Sequence, residues 1–175
     1  MRTVALMAAA IGALWIGCAA ASTNQQITVT GNVVADCTTV PSTGTLALGT
    51  YNPFSSVDLA PSTPFQFSIN CTRGDTTFTV AVDGGANFAS ANPSGNRAMK
   101  DSTGNYLTYQ LYSDSAHTAA WPFSTASGQG TPVSLTAGGI AAPNTISLYG
   151  VVPHGQSAGT DAGAYNDTVH VTVNY

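Results

Sequence analysis

The stretch DTVHVTVNY, Asp167 to Tyr175, alternates without a break. Val169, Val171, Val173 and Tyr175 share one parity, and Thr168, His170, Thr172 and Asn174 the other. A period of two belongs to a β-strand with one buried face and one wet face. Such a strand also needs neighbours for its backbone N–H and C=O groups. No turn or returning strand follows Tyr175 in the sequence. The sequence therefore predicts an apolar edge strand whose next neighbour in the sheet is missing.

The rest of the chain repeats the β pattern in short pieces separated by Gly, Pro, Asn, Asp and Ser. ITVTGNVVADC (27–37), TLALGTY (45–51), PFQFSINC (64–71) and TTFTVAVD (76–83) come first, the last stopping at the turn Asp83-Gly84-Gly85. RAMK (97–100) and YLTYQLY (106–112) flank the five-residue DSTGN, which predicts a hairpin. TPVSLTA (131–137) and TISLYGVV (145–152) precede the terminal run. Seven to nine short strands at this spacing, with no helical periodicity, predict a single all-β domain of the β-sandwich type.

Charge narrows the partners. Only 7% of residues are charged, with four Lys and Arg in the chain and eight acidic residues, all Asp. No basic cluster offers itself to nucleic acid, so no nucleic-acid partner is expected. A surface so poor in charge favours association. The start of the chain points to export. Arg2 precedes the uncharged run Thr3–Gly17, and Ala19 and Ala21 have the A-x-A spacing of a signal-peptidase site. Residues 1–21 are read as a signal peptide, with Ala20 as the alternative cut and a lipid-modified Cys18 as a rival reading. The apolar run is short for a membrane span of about 20 residues. In an exported chain the two remaining cysteines, Cys37 and Cys71, are most simply one disulfide.

Candidate chemistry is thin. GQSAG, Gly155 to Gly159, fits the G-x-S-x-G pattern around Ser157, but that motif presupposes a helix after the serine, and TDAGAYND follows instead. His117, His154 and His170 stand apart, and no carboxylates lie at metal-ligand spacing. The calcium-like DSTGN and DGG are explained by turn chemistry. Asn70-Cys71-Thr72 and Asn166-Asp167-Thr168 are formal glycosylation sequons. Tyr106, Tyr109, Tyr112 and Trp121 do not share one strand parity, which favours packing over a sugar platform. No catalytic residue, metal or cofactor is expected.

The N-terminal stretch STNQQITVTGNVVADC allows two readings. Ile27, Val29, Gly31 and Val33 share a face, as in an ordinary first strand. The same pattern suits a free extension that becomes a strand of something else.

Several motifs together carry a resemblance. They are VVADC, LALGTYNP, FSINCTRG, RAMKDSTGNYLTYQLYSD, LYGVVPHGQ and GAYNDTVHVTVNY, in that order along the chain. With them the chain resembles the spore coat protein U domain family, the pilin-like subunits of archaic (Csu-type) chaperone–usher pili. AAWPF departs from it, since such domains often place Gly after Trp.

The resemblance implies an incomplete immunoglobulin-like β-sandwich lacking its final strand, completed by donor-strand complementation. It implies a periplasmic chaperone, an outer-membrane usher and neighbouring pilin subunits as partners. The implied division is residues 22–33 as donor extension and 34–175 as domain. Ile27, Val29, Gly31 and Val33 would form the donor strand, while Val169, Val171, Val173 and Tyr175 would belong to the last strand beside the acceptor groove. The competing function is a secreted, self-complemented β-sandwich coat or binding protein.

Overall fold

The computed structural model describes residues 25–72, 77–88, 96–156 and 161–175. Residues 1–21, read above as a signal peptide, residues 22–24 and Ser157 lie outside the described residues. The chain divides into two units, residues 1–32 and 33–175. In the first unit, residues 25–32 form no strand or helix and are exposed. The second is all β.

Eight strands are described: β1 (Cys37–Val40), β2 (Phe65–Cys71), β3 (Thr77–Val82), β4 (Arg97–Lys100), β5 (Tyr106–Tyr112), β6 (Val133–Thr136), β7 (Asn144–Val151) and β8 (Val171–Asn174). They form a five-stranded sheet, β1-β2-β7-β5-β4, and a three-stranded sheet, β6-β3-β8. Every pairing is antiparallel. Alternation along each strand supplies the core between the sheets. Phe67 and Ile69 of β2, Leu107, Tyr109 and Leu111 of β5, and Ile146 and Leu148 of β7 are buried with Phe78, Val80 and Val82 of β3. The result is an immunoglobulin-like β-sandwich.

The expected hairpin is present. Arg97 pairs with Tyr109 and Lys100 with Tyr106. Its loop is organised by the Asp101 carboxylate, which accepts hydrogen bonds from the backbone N–H groups of Thr103, Gly104 and Asn105. The Thr103 hydroxyl, followed by the backbone and side chain of Asn105 and the Thr103 N–H, holds its pKa well below the usual carboxylate range. Cys37 and Cys71 face one another in the β1–β2 register and are joined by a disulfide.

Two segments read as strands are not strands here. Residues 27–36 have no ladder, and β1 begins only at Cys37, where pairing with β2 starts. Pro41, which has no N–H to donate, follows its last residue. Residues 45–51 keep their alternation, with Leu46 half-buried and Leu48 buried, but form no ladder. Leu48 rests on Gly150 so closely that a Cβ there would lie 2.3 Å from its Cδ2.

Arg97 locks the two sheets together. It is fully buried, and its guanidinium donates to the carbonyls of Val82, Asp83 and Trp121 at 2.9, 2.8 and 3.2 Å. It also lies 4.3 Å from the centre of the Phe123 ring. One cation thus joins β4 of the larger sheet to the end of β3 in the smaller one. Burial lowers its pKa, yet an arginine so amply supplied with acceptors stays charged.

Two stability measurements follow from these ties. Reducing the disulfide reopens a loop spanning 34 positions and should cost about 3–4 kcal/mol in urea unfolding with and without reductant. Arg97→Met leaves three carbonyls without their donor and should cost about 3 kcal/mol or more in the same assay.

Candidate functional site

Three strands do not cover five. On the β8 side the inner face of the larger sheet lies open in a groove of about 730 Å³. Its floor is Phe65, Phe67, Met99, Tyr109, Leu111 and Leu148. One wall is the end of β1 and the segment after it, including Leu46 and Leu48; the other is residues 165–171. Several of these side chains, including Phe65, Met99, Leu46, Val169 and Val171, are packed on the core yet only partly buried.

The second wall is held from one side only. β8 pairs with β3, from Val82 opposite Val171 to Thr79 opposite Asn174. Before β8 the chain leaves β3 and runs past the turn and on to β4. Asp83 N–H donates to His170 O at 3.1 Å, Ala86 N–H to Thr168 O at 2.9 Å, and Lys100 and Asn166 exchange two backbone hydrogen bonds. The last segment thus touches both sheets, while β8 is the outer strand of its own.

The four terminal residues singled out in the sequence separate here. Val169 and Val171 line the groove. Val173 packs on the core and pairs with Val80, away from the groove lining. Tyr175 is 60% exposed and its hydroxyl donates to Asp36 Oδ1 at 3.0 Å. Asp36 is also fixed to the end of β2, its carbonyl accepting from Thr72 N–H at 2.9 Å. In the first unit and just beyond it, Ile27, Val29 and Val33 are 80–90% exposed, and Gly31 has nothing within 4 Å of where a Cβ would stand.

Periodicity extends the inward row further than the valines. Tyr165 and Asp167 share the parity of Val169 and Val171, are half-buried, and line the groove. Asp167 is the one carboxylate on this wall. Its Oδ2 accepts from the Tyr109 hydroxyl at 2.7 Å, and its Oδ1 from Asn87 N–H and Nδ2 at 3.2 and 3.0 Å. Gly85, at a positive φ of 85°, lies against it; a Cβ there would fall 2.0 Å from Oδ2, so a side chain would displace the carboxylate. Burial raises the Asp167 pKa and outweighs the hydrogen bonds that would lower it. Burial, with Asp167 next to it, raises that of Tyr109 strongly.

The histidines serve local geometry. His170 Nδ1 lies 3.0 Å from Asp83 Oδ2, joining the residue just before β8 to the turn after β3. His154 contacts Asp58 at 2.5 Å. His117, at a positive φ of 55°, sits edge-on between the Tyr112 and Tyr149 rings. Tyr109 and Trp121 are buried, whereas Tyr106 lies under Lys100. Among the described residues no group of three His, Cys, Asp or Glu could hold a metal ion.

Residues 23–172 match the Spore Coat Protein U domain. The chain belongs to that family. Protein U of Myxococcus xanthus is 32% identical over 139 residues, covering 75% of this chain and 72% of that protein. Among solved structures the spore coat U domain matches a chain of a chaperone–tip adhesion subunit pre-assembly complex from the archaic chaperone–usher Csu pili of Acinetobacter baumannii. The TM-score is 0.50 at 20% identity, with 82% of this chain and 40% of that chain covered. A likeness at that identity establishes a shared fold. Membership of the spore coat U family makes the chain a structural protein and not an enzyme.

The raised pKa of Asp167 fixes the sign of a pH effect. A carboxyl whose folded pKa exceeds its unfolded value of about 3.9 contributes stability below that value and loses it as pH rises through the folded pKa. Asp167→Asn keeps an acceptor for Asn87 and removes the buried charge. Its melting temperature relative to the parent chain should therefore rise as pH increases from about 3 to about 7. Thermal scans by circular dichroism across that range check it.

Proposed function

We propose that this chain is a pilus subunit assembled by donor-strand exchange in the chaperone–usher pathway. The carrying observation is the groove itself. Two segments with inward-facing apolar residues, 41–48 and 165–171, border it, and the edge strand β8 continues one of them. A donated strand between them would complete the backbone pairing and cover the apolar floor. This is assembly by β-strand addition.

Residues 22–33 are the donor and 34–175 the body of the subunit. Ile27, Val29 and Val33 supply exposed apolar side chains in a period of two. Each should add up to roughly 1.5–3 kcal/mol when fully buried in a neighbour. Before assembly, a strand of a periplasmic chaperone fills the groove; at an outer-membrane usher the extension of the next subunit replaces it. Export follows from residues 1–21, and the destination is a cell-surface pilus serving adhesion or biofilm formation. Because each subunit gives its extension to the next, the contacts are head-to-tail and grow into a fibre.

Deleting residues 22–33 tests the assignment. The deleted chain, co-expressed with its chaperone, should still be recovered as a one-to-one complex but should form no polymers, read as a loss of the ladder of large species in unheated gel electrophoresis. Polymers from the deleted chain would exclude this donor. A deleted chain that stays soluble and monomeric without chaperone would point to the self-complemented coat or binding protein instead.

A further inference from the structure

Within the donor-strand reading, the groove carries more information than apolar area. We propose that Asp167, clamped by the Tyr109 hydroxyl, is a polar station that sets the register of the incoming strand, and that Gly31 of a second copy of this chain docks opposite it.

The inward row on the receiving wall reads Tyr165, Asp167, Val169, Val171. Hydrogen bonds tether the Asp167 carboxylate. Asn87 and Tyr109 hold both its oxygens, and the Gly85 backbone closes in behind it. Each carboxylate oxygen has acceptor capacity beyond these bonds. An aliphatic side chain pressed against it would expel the water that uses that capacity and supply no donor. A residue without a side chain leaves room beside the carboxylate for a water to use that capacity.

The donor has one such residue on its inward parity: Ile27, Val29, Gly31, Val33. Registers that keep this face inward differ by steps of two. In an antiparallel insertion with Gly31 opposite Asp167, Val29 meets Val169, Ile27 meets Val171 and Val33 meets Tyr165. A shift of two in either direction places Val29 or Val33 on the carboxylate. A parallel insertion with Gly31 at the station would carry Ala35 and Asp36 along the partner's groove. Asp36 is already tied in its own domain to Thr72 and Tyr175, so no residues would remain to link the two subunits. One direction and one register therefore satisfy the wall.

The test uses the full mature chain refolded with an excess of fluorescein-labelled peptide corresponding to residues 25–36, bound fraction being read by anisotropy. Three altered peptides accompany it: Gly31→Ser, Gly31→Leu and Val29→Leu. The parent, Gly31→Ser and Val29→Leu peptides should bind within about threefold of one another, while Gly31→Leu should bind about tenfold more weakly or worse. Leucine favours a strand more than glycine does, so local propensity works against this outcome. Equal binding of the Gly31→Leu peptide, or equal weakening at positions 29 and 31, overturns the station and leaves the donor assignment standing. Failure of all four peptides to bind overturns both.

Discussion

A β-strand on a sandwich makes two demands at once: hydrogen-bond partners along both edges and a cover for its apolar face. β8 meets the first on one side only, through β3. The face beneath its outer side, from Phe65 to Met99, meets the second only in part. Both deficits lie in one groove, and a single strand would remove both. Backbone pairing would supply direction and side-chain burial energy, which would favour an extended peptide over a rounded ligand.

The domain is built so that this side can stay open. Arg97 ties β4 to the end of β3 by bonds to backbone carbonyls, and the disulfide ties β1 to β2. His170 and Asp83 pin the last segment to the turn after β3. These ties join β4 to β3, β1 to β2 and the last segment to the turn after β3. An uncovered apolar groove is nevertheless a site for unwanted pairing, which is why the proposed pathway needs a chaperone.

Sequence periodicity reports which way side chains face, and it does so well here. It revealed the hairpin of β4 and β5. It does not report whether a strand has a partner. Residues 45–51 alternate as a strand would, with Leu46 and Leu48 inward, yet have no ladder. Asp167 escaped notice because a polar residue interrupts an apolar pattern, although its parity with Val169 was there to be counted. The burial of Arg97 had no signature at all: beside Ala98 and Met99 an arginine reads as a surface residue. Only the convergence of three carbonyls from distant segments explains it.

The position of the disulfide has a mechanical consequence. In a fibre joined through N-terminal extensions, tension would enter each subunit along residues 34–36 and arrive at Cys37, the first residue of β1. Without a covalent bond there, a pull at that end would peel β1 from β2 one hydrogen bond at a time. With Cys37 bonded to Cys71, that force would pass at once into β2, which is paired on its other side with β7. A four-residue strand would thereby be relieved of the strain, which would spread across the larger sheet.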